Sequence, residues 1–187
     1  LGGKIVEERS YLQETKVFDQ ALVDLDKVTA DCIFLPEYRT GVVMNLARHL
    51  RARGLQQRIA SLATLHSEWP PRENAQELNG LMVCSFFYAQ APDPKIQDFV
   101  RRYQAFTGSP TPSHREAYSY DALKLMGRAI EEVGFRRQSL RDYFDSLGQS
   151  RPPYRGISGE FVPSRRQELR HPYLLEVRDG NLNLLAP

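Results

Sequence analysis

The sequence predicts an α/β protein built on a doubly wound parallel sheet. Three observations carry this. Short apolar runs alternate with helix-spaced segments through residues 1–88. Those runs are nearly continuous rather than alternating, as expected of strands covered on both faces. Right-handed crossovers between such strands place helices on both sides of the sheet.

The elements follow in order. Lys4–Glu8, after Gly2-Gly3, reads as a short strand. Phe18–Val28 has apolar residues at Phe18, Ala21, Leu22, Leu25 and Val28, the spacing of one helix face. Asp31–Pro36 contains Cys32-Ile33-Phe34-Leu35 and reads as a buried strand. Over Thr40–Arg53, Val42, Val43, Leu46, Ala47 and Leu50 form a stripe. Thr40 is placed as N-cap, and Gly54 ends the helix. Ile59–Ala63 is the next strand. A polar stretch with Trp69-Pro70-Pro71, a short helix over 73–78 and a strand over Gly80–Phe87 follow.

The composition changes after residue 88. Tyr88–Pro94 is a hinge-like connection rich in Ala and Pro. Pro94–Phe106 is a helix with Ile96, Phe99, Val100, Tyr103 and Phe106 inward, closed by Gly108. Ser109–Ser113 is a rigid turn with two prolines. His114–Val133 is a long helix with Tyr120, Leu123, Gly127 and Ile130 on one face, ended by Gly134. Ser139–Leu147 is a shorter helix with Ser139 as N-cap. Gly156–Val162 is extended. Asp179-Gly180 between two apolar runs signals a β-hairpin over residues 173–185.

Composition narrows the function classes. The chain has 187 residues, 41% hydrophobic and 26% charged, which suits a packed domain and argues against disorder. A net charge of +2 does not imply a nucleic-acid partner, and no nucleic-acid-binding motif accompanies the paired arginines. No run of about 18 apolar residues spans a membrane. No signal peptide opens the chain; Leu1-Gly2-Gly3-Lys4 reads as a helix end leading into a strand, so any leader lies upstream. Cys32 and Cys84 sit in apolar runs and read as buried residues, with their redox state left open.

No catalytic constellation emerges, and no cofactor is called for. Phosphate-binding glycine motifs are absent, and Gly156-Ile157-Ser158-Gly159 lacks the spacing of a nucleophile elbow. His49, His66, His114 and His171 have no metal-type spacing.

The ordered set of segments resembles the C-terminal part of type I periplasmic binding proteins, the branched-chain amino-acid-binding family of ABC transporters. The matching stretches include Gly2–Val6, Phe18–Leu25, Ala30–Tyr38, Ala47–Leu55, Leu78–Leu81 and Pro92–Pro94. Phe99–Gly108, Ala117–Ala129, Tyr154–Gly159 and Pro172–Gly180 continue the series. The resemblance implies a two-lobed fold with an incomplete first lobe. Residues 1–88 would form second-lobe α/β structure. Residues 89–163 would return to the first lobe, and 164–187 would form a hairpin back in the second. It also implies a missing N-terminal lobe segment, a small-molecule ligand, an ABC transporter permease as partner, and a periplasmic or other extracytoplasmic location, free or lipoprotein-anchored.

In the family the ligand sits between the lobes at the carboxyl ends of the strands. The resemblance therefore nominates Tyr38 and Arg39 in the loop after the second strand, Tyr38 as the packing aromatic. It nominates Ala63 and Thr64, where the family carries an acidic residue for a ligand amino group, with Glu68 as a substitute further on. It nominates Arg115 before the long helix, placed to pair with a carboxylate. Two arginines with no matched acid lean toward an anionic ligand. Receptor sensor regions and activators of cell-wall synthases share this architecture and form the alternative reading.

Overall fold

The computed structural model describes residues 2–12, 18, 20–62, 78–109, 111–163 and 172–186. The fold is α/β, with a sheet in which parallel strands carry an antiparallel hairpin. Compactness divides the chain into two units, residues 1–84 with 174–187, and residues 85–173.

In the first unit, strands β1 (Cys32–Leu35), β2 (Arg58–Ser61) and β3 (Leu81–Ser85) lie side by side in chain order. β1 pairs parallel with β2, Ile33 opposite Ile59 and Leu35 opposite Ser61. β2 pairs parallel with β3, Ile59 opposite Leu81 and Ser61 opposite Val83. This register aligns Ile59, Ser61, Leu81 and Val83 in buried rows on one face. Between β1 and β2 runs helix α1 (Thr40–Ala52), which buries Val43, Leu46, Ala47 and Leu50. These four positions have the helical spacing that the sequence displays. Gly54 ends α1 with φ +81°, and the Leu55 N–H donates to the Leu50 carbonyl.

The sheet is completed from far along the chain. Strands β6 (Tyr173–Arg178) and β7 (Asn181–Ala186) form an antiparallel hairpin, with β6 next to β3. Asp179 and Gly180 both take positive φ, 50° and 76°. Two left-handed residues give the hairpin the twist of its strands, as the Asp-Gly pair predicts. Asn79 Oδ1 accepts from the Asp179 N–H at 2.9 Å, and the Gly80 N–H donates to the Val177 carbonyl at 2.9 Å.

The second unit is helical with one small hairpin. Helix α2 (Pro94–Thr107) starts on Asp93, whose carboxylate accepts from the Lys95 N–H, with Pro94 in the first turn. Gly108 closes it in the left-handed region. Helix α3 (His114–Val133) opens with a capping box: Ser113 accepts from the Arg115 N–H, and Glu116 accepts from the Ser113 N–H. Replacing Ser113 by Ala should cost about 1 kcal/mol, read as a lower denaturant midpoint with unchanged slope. Helix α4 (Arg137–Ser146) buries Tyr143 beside Leu125, Ala129 and Leu147. Strands β4 (Tyr154–Gly156) and β5 (Gly159–Phe161) pair antiparallel.

One contact joins the helices to that hairpin. Asp121, 8% exposed on α3, accepts from the backbone N–H of Ile157 at 3.0 Å and of Ser158 at 2.8 Å, and from the Ser158 hydroxyl. The turn between β4 and β5 is thus closed by a side chain remote in sequence. A Cβ at Gly156 would fall on that carboxylate, so only glycine fits there.

Several expectations are corrected. Residues 4–8 form no strand, and β1 stands at the edge of the sheet without them. Over Phe18–Val28 the described residues give turns and a 3-10 helix at Leu25–Lys27 in place of a full helix, with Asp24 left-handed at φ 57°. Phe18 and Leu22 are buried nonetheless.

Thr40 is the first residue of α1, and Arg39 occupies the cap position without a side-chain bond. Arg136, not Ser139, precedes α4. β1 is not covered on both faces, since Cys32 is exposed and Phe34 is 58% exposed. Cys84 is half-buried, and both thiols are free.

On α2, Phe106 is 90% exposed, beyond the turn that Ile96 and Phe99 bury. The buried residues of α3 are Ala117, Asp121, Leu125 and Ala129, whereas Leu123 is 74% exposed. The buried face includes Asp121, which the turn between β4 and β5 caps, while Tyr120 and Ile130 of the expected face are half-buried. The helix expected over 73–78 falls outside the described residues except for Leu78, which is buried.

Candidate functional site

The loop between β1 and α1 holds a polar cluster. Glu37 directly follows Pro36, and the loop turns at once, with the Glu37 N–H donating to the Leu35 carbonyl at 2.8 Å. Glu37 is a buried acid, 8% exposed. A buried carboxylate must be matched by donors, and three groups supply them. Arg39 closes a two-pronged bond, Nε to Oε1 at 3.0 Å and Nη2 to Oε2 at 2.6 Å. The Arg39 N–H donates to Oε1 at 2.9 Å. The Tyr11 hydroxyl donates to Oε2 at 2.7 Å, from 26 residues away.

The electrostatics follow from these bonds. The Arg39 guanidinium holds the Glu37 carboxyl down to about 2, against the opposing effect of burial. Burial, and then the bond to Glu37, pushes the Tyr11 phenol up to about 12. The cluster keeps one fixed pattern across that range: carboxylate, guanidinium and neutral phenol.

Tyr38 stands between the two charged residues in sequence and is 59% exposed. The Arg39 guanidinium carbon lies 5.8 Å from the centroid of its ring, within cation–π range. Tyr38 and Arg39, both nominated by sequence, are therefore brought together. Ala63, Thr64 and Glu68 lie outside the described residues, as does His66. Arg115 is in the second unit, exposed in the first turn of α3. Its neighbour His114 is driven toward the neutral form by burial first and by Arg115 second. Glu37 and Tyr11 were not nominated. The signal for Glu37 was its place two residues before Arg39 in a post-strand loop; Tyr11 had none.

A second polar cluster lies in the second unit. Glu132 accepts from Arg151 at 2.8 Å and Arg128 at 3.1 Å, and the Arg151 guanidinium sits 4.6 Å from the Tyr143 ring centroid. It ties α3 to the segment after α4. Among the described residues no three His, Cys, Asp or Glu side chains gather as a metal site, and no helix is long and apolar enough to cross a membrane.

A family model described as periplasmic binding protein matches residues 1–181. The chain belongs to the periplasmic binding protein family. No curated protein matches it. Among solved structures, the branched-chain amino acid transporter substrate-binding protein LivJ from Streptococcus pneumoniae, in complex with isoleucine, is similar. Its TM-score is 0.81 at 18% identity, over 97% of this chain and 51% of that one. The leucine-binding protein LivK from Thermotoga maritima gives 0.76 at 18% identity, over 94% of this chain and 49% of that one. An ABC transporter solute-binding protein from R. palustris, in complex with benzoate, gives 0.73 at 16% identity, over 98% of this chain and 50% of that one. At these identities the likeness is one of fold. This periplasmic binding protein family member spans about half the length of these solved relatives.

Proposed function

We propose that this chain is the second-lobe-bearing part of an extracytoplasmic solute-binding protein that captures a small molecule for an ABC transporter. The match of the family model over residues 1–181 carries the reading. In it, the first unit belongs to the second lobe, and residues 85–173 belong to the first. The ligand is an amino acid or a related carboxylate or amide, held by closure of the lobes without chemical change. In this reading Tyr38 contacts the ligand, and Ala63, Thr64, Glu68 and Arg115 are the other contacting residues. The permease of the transporter is the partner.

The reading also accounts for bare apolar surface. Phe34 of β1, and Phe106, Leu123 and Phe135 of the helical unit, are 58–90% exposed. A remaining lobe segment of the same protein would cover such residues, which a finished domain rarely leaves open in number.

The test is thermal denaturation of the full-length protein against a panel of amino acids, amides and carboxylates. A ligand present at 100 times its Kd adds about 2.7 kcal/mol to the folded state, so a true ligand raises the Tm by several degrees. Absence of any shift across the panel at millimolar concentrations would overturn the reading.

A further inference from the structure

The loop that the proposed function brings to the ligand contains a positive charge, and that charge is bonded to Glu37. Arg39 does not stand open toward solvent as a bare cation. Its guanidinium makes a two-pronged bond to Glu37, and its backbone N–H bonds the same carboxylate. Tyr11 fills a further acceptor position on Glu37 from the opposite direction in sequence. The same guanidinium lies against the Tyr38 ring. Four side chains thus form one relay: phenol, carboxylate, guanidinium, exposed ring.

We infer that Glu37 and Tyr11 are positioning residues that hold Arg39 behind the Tyr38 ring, so that this loop meets a ligand with an aromatic face and no net charge. The inference rests on the proposed function for the statement that the loop meets a ligand. The relay itself stands on the bonds above.

The physical reasoning has two parts. A planar guanidinium matched prong for prong with a carboxylate gives up little to a second, mobile anion, because the competing carboxylate must pay its own desolvation and displace a preformed pair. A buried Glu37 stripped of Arg39 would be left unmatched, which makes release of the arginine costly. The ligand group that suits such a wall is apolar, aromatic or otherwise uncharged where it touches Tyr38. Recognition of an anionic group then falls to residues elsewhere. This reverses the lean toward an anionic ligand that Arg39 gave the sequence.

The experiment follows the Arg39 side-chain Nε–H by NMR in the full-length protein, with acetate as the anionic probe, which has no ring to lie on Tyr38. In the wild type, the Arg39 Nε–H should exchange slowly with water and keep its shift as acetate is added to millimolar concentration. In Glu37→Gln, which keeps the size of the side chain but removes its charge, exchange should quicken at least tenfold and the signal should move with acetate. Tyr11→Phe should quicken exchange to a smaller degree. Glu37→Asp, which keeps the charge, should restore part of the protection; a merely space-filling role for Glu37 would not produce that rescue. Movement of the wild-type signal with acetate would overturn the inference, and so would a Glu37→Gln signal as protected and as still as the wild type. These outcomes are independent of whether the thermal panel finds a ligand, so failure of the relay and failure of the solute-binding reading are separately visible.

Discussion

Asp121→Ala should unfold the helical unit at markedly lower denaturant, with a loss of about 3–5 kcal/mol. The number comes from the donors left behind. Two backbone N–H groups and one hydroxyl converge on this carboxylate, and Ser158 is 5% exposed. A buried donor without a partner costs about 1–3 kcal/mol. Asp121→Asn should recover little, because the amide nitrogen would point a donor at donors. Gly156→Ala should be comparably damaging from the other side, since the added methyl group would occupy the space of the Asp121 carboxylate. Urea unfolding of the three variants checks this. A loss below about 1 kcal/mol in Asp121→Ala would show that water replaces the carboxylate without cost.

Glu37→Gln should remove a pH dependence that the wild type shows in acid. The sign follows from linkage. The Glu37 carboxyl is lowered from 4.5 to about 2 on folding, so the unfolded chain binds the proton more readily. The associated stability is fully present above pH 4.5 and is lost as pH falls toward 2. It is on the order of 3 kcal/mol at most. At the alkaline end Tyr11, raised from 10.0 to about 12, acts in the opposite sense. Its neutral form stabilises the fold below pH 10, and that contribution fades as pH rises to 12. Stability measured from pH 2 to 5 in wild type and Glu37→Gln should converge at the acid end and separate above it. Parallel curves would mean that the Glu37–Arg39 pair contributes nothing across this range.

Which parts of this molecule could be read in the sequence follows from the range over which each signal acts. α3 was legible to the residue, because the proline-bearing sequence at 109–113 before it and Gly134 after it are local punctuation. The last hairpin was legible because Asp179 and Gly180 are suited to positive φ. The inward face of α3 was not, because it includes Asp121, a charged residue buried only by its bonds to a turn 36 and 37 residues away. Lys4–Glu8 has the composition of a strand, yet a strand exists only with a partner.

The relay at Arg39 was illegible for a different reason. Tyr38 and Arg39 were nominated through the family, but the place of Glu37 two residues before Arg39 does not mark it as buried, because a charged residue in a loop normally faces water. Tyr11, 26 residues away, meets it only in three dimensions.

The interleaving of the sheet has a consequence for biosynthesis. β6 takes its place beside β3, although 87 residues separate the end of one strand from the start of the other in the chain. Residues 85–173 form a continuous stretch and can condense as soon as they leave the ribosome. The unit that holds Tyr38 must wait with an open edge at β3 until residues 173–186 have been made. During that interval β3, with Leu81 and Val83 on one face, is a template for any passing strand. Chaperone dependence during synthesis should therefore track the late arrival of the hairpin more closely than the overall stability of the finished protein.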